Sequence, residues 1–248
     1  MSDKLVIIPT YKEKENVANI INAIFDLDKN YHILIIDDNS PDGTADIVKS
    51  LIQQYPGKLF LEERIGKLGL GTAYIKGFKW GLERGYQFLI EMDADFSHDP
   101  ADLERLYLAC KVEGADVAVG SRYVKGGRVE NWPFSRILIS MGGALYTRMI
   151  TWMPVKDPTA GFVCYRNRVL STIDLDKIRF VGYAFQIEMK FMSWKLGFNI
   201  KEVNITFKDR IYGASKMSKG IIKEGVVGVL SMQLNSILHG VSRKKSIQ

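Results

Sequence analysis

Two carboxylates one residue apart, Asp93 and Asp95, stand where the apolar, strand-length run of Tyr86–Asp95 (YQFLIEMDAD) stops. Acids released at the carboxyl end of a buried strand sit where open α/β sheets place their ligands. Two of them so spaced can offer oxygen to a hard divalent cation, and Mg²⁺ held this way shares its shell with substrate phosphates. A second run, Tyr31–Ile36, ends in the same manner in Asp37, Asp38 and Asn39. Together the two acidic strand ends predict a scaffold for a metal–diphosphate ligand. Acids after strands also solvate loops or cap the next helix, and Asp99, before Pro100, is expected to do that.

The elements that must position these acids follow from the hydrophobic pattern. Strands are expected at Leu5–Pro9, Tyr31–Ile36, Lys58–Glu62, Phe88–Met92 and Asp116–Val119. Helices are expected between them, at Asn16–Leu27, Thr44–Gln54, Thr72–Arg84 and Pro100–Cys110. This alternation predicts right-handed βαβ units, hence the α/β class with a mostly parallel, Rossmann-like sheet flanked by helices. Beyond Gly126 the alternation loosens into a long helical pattern at Asn131–Met153, a short strand at Phe162–Tyr165, a helix at Ala184–Leu196 and a strand at Ile200–Phe207. A further helix starts near Ser218 and ends in the basic Arg243, Lys244 and Lys245.

With 46% hydrophobic residues in a chain of 248, a sizeable core can be buried, which excludes disordered and fibrous classes. The excess of 34 basic over 28 acidic residues favours anionic partners. There is no aromatic–basic interleaving and no zinc-finger spacing, so no nucleic-acid partner is expected. Cys110 and Cys164 match no redox or metal spacing and read as free buried thiols of a reducing compartment. His32, His98 and His239 are scattered, so no histidine triad or histidine metal site is expected. Neither a signal peptide nor a membrane span is expected, since no uninterrupted apolar stretch reaches about 18 residues.

Further segments carry polar and glycine-rich signals. They are IPTYKE ending at Glu13, DDNSPDGT at Asp37–Thr44, RIGKLGLGTAY at Arg64–Tyr74, DADFSHDP at Asp93–Pro100, GSRY at Gly120–Tyr123, DPTAGF at Asp157–Phe162, GYAFQIEM at Gly182–Met189 and FKDRIYGASK at Phe207–Lys216. The glycine segment is neither a Walker loop nor a dinucleotide fingerprint. In this order and spacing the segments resemble the family 2 glycosyltransferases of the GT-A fold, and within them the polyprenol (dolichyl) phosphate mannose synthases, over about residues 4–217. The resemblance implies a metal-dependent enzyme, using Mg²⁺ or Mn²⁺, that moves mannose from GDP-mannose to a polyprenyl phosphate with inversion.

Position by position, the resemblance assigns Pro9, Tyr11 and Glu13 to the base and ribose pocket, with Ile36 and Asp38 beside them. Asp93, Ala94 and Asp95 would meet the ribose–diphosphate and its metal, Asp95 as the direct ligand. Some relatives carry Gln where this chain has Ser97, so a water would complete the shell beside the shorter serine. Arg122, Arg210 and Lys216 would gather round the phosphates, with Ser135 and Arg136 near the acceptor. Some relatives have Lys in place of Ala184. The residue types suit the chemistry: a metal stabilises a diphosphate leaving group, and arginine forks onto phosphate. A phosphate monoester, with a second pKa of about 6, is already a dianion near neutral pH and needs no catalytic base.

A polyprenol acceptor lies in a bilayer. Residues 131–153, with Trp132 and Trp152 at the ends and Arg136 and Arg148 between, read as an interfacial helix or as a buried core helix. The implied organisation is a GT-A domain at 1–217, including that helix, and a C-terminal helix with a basic tail at 218–248. The implied location is peripheral, at the cytoplasmic face of a membrane, with small membrane subunits as further partners. Two alternatives stay open: the same fold using UDP-glucose or another sugar nucleotide, and a non-catalytic membrane-docking subunit.

Overall fold

The computed structural model describes residues 2–182, 184–209 and 219–238, with only the backbone described for 219–224. Strand β1 (Lys4–Thr10) is followed by α1 (Val17–Phe25), β2 (His32–Asp37), α2 (Thr44–Ile52), β3 (Leu59–Glu63), α3 (Leu70–Glu83), β4 (Phe88–Glu91), α4 (Asp102–Lys111) and β5 (Val117–Ser121). The second half adds β6 (Arg128–Glu130), α5 (Phe134–Thr151), β7 (Val163–Arg166), α6 (Asn167–Thr172), α7 (Ala184–Lys195), β8 (Ile200–Asn204), β9 (Thr206–Lys208) and α8 (Lys219–Leu238).

Seven strands form one sheet in the order β3-β2-β1-β4-β7-β5-β8. All pairings are parallel except those of β7, which runs antiparallel between β4 and β5. The expected strand at Ile200–Phe207 is interrupted at Ile205: β8 completes the large sheet, while β9 pairs with β6 in a two-stranded one.

Alternation along the strands divides the core. Val6, Ile8, Ile33 and Ile35 face α1, α2 and α4. Leu5, Ile7, Leu34 and Ile36 face α3 and α7 on the other side. Such period-two sorting is what a sheet buried on both faces requires, and each side chain so buried contributes about 1.5–3 kcal/mol. Helix α1 shows the matching 3.6 period, burying Val17, Ile20, Ile21 and Ile24. Helix α3 lies close on the sheet because Gly77 and Gly81 face it: a Cβ on Gly77 would stand 2.5 Å from Ile7 Cγ2, and one on Gly81 2.6 Å from Leu89 Cδ2.

Helix α5 departs from the core reading. Of its 18 residues, Ala144, Thr147 and Thr151 are buried, whereas Phe134, Leu138, Leu145, Met149 and the following Trp152 are exposed. Its inner side packs with α7 and α8 around Met153, Ile187, Phe191, Val229 and Met232. Among the described residues no helix is long and apolar enough to cross a membrane. Cys110 and Cys164 are buried and free.

Candidate active site

The carboxyl ends of β1, β2 and β4 open on one cavity of about 550 Å³. After β4 the chain leaves the sheet at Asp93, and Asp93, Ala94 and Asp95 all line the cavity. Asp95 is buried, and its Oδ1 accepts the N–H of Ser97 at 3.1 Å. Ser97 does not line the cavity; it is buried and braces Asp95 from behind, its own carbonyl accepting the N–H of Lys208. His98, set aside in the sequence with the other histidines, lies in the cavity wall, its ring between Phe162 and Phe207. Burial lowers its pKa well below the ordinary value, so the ring stands neutral there.

The two acids of β2 have different tasks. Asp37 is turned inward, accepting from Thr10 Oγ1 at 2.7 Å and from the N–H and Oγ of Ser40 at 2.8 and 2.7 Å. Asp38 lines the cavity and is paired with buried Arg64, whose Nε donates to Oδ1 at 2.5 Å. Arg64 also donates to Thr72 Oγ1 and to the carbonyl of Gly69, so it ties the glycine segment to the end of β2. Gly69 sits at φ +100°, a conformation costly for a residue with a Cβ. The loop after β1 is fastened to the loop after β2 by the N–H of Lys12 to Ser40 Oγ, of Glu13 to Thr44 Oγ1 and of Lys14 to Asp42. This places Pro9, Tyr11 and Glu13 in the same wall, with Lys67 over the Tyr11 ring at 4.9 Å. Ile36 is fully buried in the core beneath α3 and does not reach the cavity.

The opposite wall is cationic and aromatic. Arg122, at the end of β5, is buried, with Nε and Nη2 each donating at 2.7 Å to Asp157 and Nη2 also donating to Thr159 Oγ1 at 2.8 Å. Asp157 is set in place by Glu202 of β8, which accepts the N–H groups of Lys156 and Asp157. Arg136, in the first turn of α5, contacts both oxygens of Asp209 at 3.1 Å and lies 3.9 Å from the centre of the Trp132 ring. Trp132 precedes α5 and turns into the cavity, contrary to the surface-anchor reading of that residue, while Trp152 at the other end is exposed. Ser135 is exposed and does not line the cavity; Ser140, which the sequence reading did not select, does, and it accepts a hydrogen bond from Tyr123 Oη at 2.6 Å. Arg210 and Lys216, expected near the phosphates, lie outside the described residues.

Beside the cavity is a buried polar cluster, whose Glu91 and Gln186 fall within the segments Tyr86–Asp95 and Gly182–Met189 without having been singled out. Glu91 and Lys190 have no exposed surface, and Gln186 has 3%. Burial pushes Glu91 up to about 8, against the opposing effects of Lys190 and Gln186, and pushes Lys190 down to about 8. Ala184 is buried at the start of α7 and is absent from the cavity wall.

Among the described residues no group of three or more His, Cys, Asp or Glu side chains could hold a metal by itself. Asp93 and Asp95 bring two carboxylates to one cavity, a donor set that fits a hard cation completing its shell with phosphate and water. The arrangement therefore offers the acids Asp93 and Asp95, a wall of Pro9, Tyr11, Glu13 and Asp38, and an arginine–aromatic wall in a single space.

A sequence model of the family described as glycosyl transferase family 2 matches residues 5–174. The chain is 45% identical over 225 residues to the polyprenol monophosphomannose synthase of Mycolicibacterium smegmatis, covering 91% of this chain and 84% of that protein. It is 48% identical over 225 residues to the undecaprenyl-phosphate mannosyltransferase of Micrococcus luteus, covering 91% of each. Among solved structures, a mannosyltransferase of Pyrobaculum calidifontis in complex with GDP-mannose and Mn²⁺ matches with a TM-score of 0.61 at 12% identity, over 96% of this chain and 64% of that one. The mostly parallel sheet with flanking helices is the GT-A arrangement.

Proposed function

Because the chain belongs to glycosyltransferase family 2, we propose that it transfers mannose from GDP-mannose to the phosphate of a polyprenol, inverting the anomeric carbon. The observation that carries this reading is the continuity of the cavity. Asp93 and Asp95, Arg122 and Arg136, and Ile139 and Gly143 of α5 with Val226 of α8 all line the one space. The acids suit a metal–diphosphate, the arginines an anionic acceptor head, and the α5 and α8 residues the first apolar units of a lipid.

Pro9, Tyr11, Glu13 and Asp38 would enclose the base and ribose. Asp93 and Asp95 would hold Mg²⁺ or Mn²⁺ with the donor diphosphate, the ion supplying charge stabilisation to the leaving group. Arg136 would orient the acceptor phosphate. Arg122, held by Asp157 and Thr159, would stand beside it in the same wall. An acceptor oxygen forms the new bond to the anomeric carbon as the bond to the diphosphate breaks, and that electron pair leaves with GDP. No proton moves, because the acceptor is already a dianion; neutral His98 is part of the wall.

The exposed apolar side of α5, with Leu138, Leu145, Met149 and Trp152, and that of α8, with Val227, Leu230 and Leu234, would lie on the cytoplasmic surface of the bilayer. Incubation of the purified chain with radiolabelled GDP-mannose, Mg²⁺ or Mn²⁺ and a polyprenyl phosphate tests the reading. Metal-dependent passage of label into the organic phase is expected. Thermal stabilisation by UDP and not by GDP would overturn the donor assignment.

A further inference from the structure

Transfer as described makes no use of Lys190, in the polar cluster beside the cavity. Its side chain is fully buried, yet it ends in an ammonium, and taking a charge out of water is costly. The three N–H donors of that ammonium meet three oxygens: the carbonyl of Ala160 at 2.6 Å, the carbonyl of Gln186 at 3.0 Å and Gln186 Oε1 at 3.2 Å. Two of these acceptors belong to the preceding turn of α7, the helix that carries Lys190. The third, at the end of the shortest bond, lies on a loop 30 residues away in sequence. Thr159, Ala160 and Gly161 of that loop line the cavity, and Lys190 does not. A wall with open space on one side has to be held from the other, and Lys190 takes the middle of this loop from behind. The loop's ends are fastened separately, by the N–H of Asp157 on Glu202 and by the carbonyl of Phe162 under the N–H of Gly120.

What the loop carries gives this hold its purpose. Asp157 and Thr159, three residues and one residue before Ala160, are the side chains that grip Arg122, through bonds of 2.7, 2.7 and 2.8 Å. The N–H of Ala160 closes back on the carbonyl of Asp157 at 3.3 Å, so the clamped residue and the gripping carboxylate belong to one turn. Charge follows the same line. Burial works against the charge on Lys190, while Glu91 and Asp157 favour it. Asp157 is in turn kept ionised against its own burial by Arg122 and, less strongly, by Lys190. We propose that Lys190 is a positioning residue for transfer: by holding the Ala160 carbonyl it fixes the turn that carries Asp157 and Thr159, and so sets where the Arg122 guanidinium stands in the cavity wall. This deepens the reading above, in which the arginines face the acceptor phosphate, and rests on it.

Lys190→Met removes all three bonds and keeps a long, unbranched side chain. Two readouts on the full chain follow it: KM for a short, water-soluble polyprenyl phosphate, and the Nε–H NMR signal of Arg122, identified by its absence from Arg122→Gln. In Lys190→Met the Arg122 signal is expected to shift and KM to rise about tenfold, while GDP affinity by titration calorimetry stays unchanged. Lys190→Met added to Arg122→Gln is expected to raise KM no further than Arg122→Gln alone, as two residues acting through one group should. If Lys190→Met does not fold, Glu91→Gln/Lys190→Met takes its place with the same expectations, because neither charge is then left buried without the other. Where Arg122→Gln raises KM, a folded Lys190 variant that lacks either the signal shift or the KM rise overturns the proposal alone. So does a KM rise of equal factor with and without Arg122, which is what a general loosening of the fold would give. An unaltered KM in Arg122→Gln, or no transfer by the unaltered chain, overturns the reading and the proposal with it.

Discussion

Arg122 and Asp157 hold each other in a buried, two-bonded ion pair, and the same carboxylate accepts the main-chain N–H of Arg122 at 2.9 Å. Burial raises the proton affinity of Asp157, but hydrogen bonds and charge from Arg122 outweigh it, so its folded pKa lies below the ordinary 3.8. A carboxylate depressed in the fold stabilises it above the unfolded pKa and loses that contribution as pH falls through the folded value. Asp157→Asn is therefore expected to lower stability near neutral pH by about 3–5 kcal/mol. Its unfolding midpoint should also depend less on pH below about 4 than that of the unaltered protein. Thermal unfolding across that range is the check, and equal midpoints at pH 7 would remove the pair from the account.

Asp95 faces the cavity with its carboxylate braced by the N–H of Ser97. Asp95→Ala should lower transfer by about 100-fold or more and abolish any increase in GDP affinity brought by Mg²⁺ or Mn²⁺. Unchanged transfer by this variant would mean that the chain is not the catalyst of its preparation.

Arg64 does not line the cavity but joins Asp38, Thr72 and Gly69. Arg64→Met leaves the Asp38 carboxylate buried without this partner. A loss of stability of about 3–5 kcal/mol is expected, with GDP binding weakened at temperatures where the variant is still folded. A variant with unaltered GDP affinity would show that Asp38 and the glycine segment need no such tie.

Leu145 and Trp152 are exposed and lie outside the cavity wall. If the outer side of α5 meets lipid, Leu145→Glu and Trp152→Glu should each weaken partitioning onto vesicles about 10- to 150-fold, from the loss of roughly 1.5–3 kcal/mol of apolar burial. Transfer to a short, water-soluble polyprenyl phosphate should be kept. Full retention of vesicle binding by the double variant would remove this surface from the proposal.

The acids at the ends of β2 and β4 were legible because strand period and turn residues are local signals. Their partners were not. Arg64 stands 26 residues from Asp38, in a segment that reads as a connector, and Asp157 stands 35 from Arg122. Which carboxylate an arginine meets depends on how the strands are ordered, and the insertion of β7 between β4 and β5 leaves no mark on its four apolar-rich residues. Lys190, one residue past the segment Gly182–Met189, was hidden for a related reason. Helix α7 is buried nearly all round, so its polar positions carry no amphipathic stripe that would single them out. The choice of Ser135 over Ser140 turns on helix phase, which is settled only when α5 is docked.

The placing of β7 also has a consequence for how the molecule is made. Strands β1 to β4, in the order β3-β2-β1-β4, come from the first 91 residues and need no later strand to pair. Strand β5 has β7 and β8 as its neighbours, and both follow it in the chain. As the chain emerges from the ribosome, the half of the sheet that carries Asp38, Asp93 and Asp95 can close early, while Arg122 waits at the end of an unpaired strand until some 40 further residues have been synthesised. Contacts of long sequence separation form slowly, so the wall that would receive the acceptor is the last part of the cavity to exist.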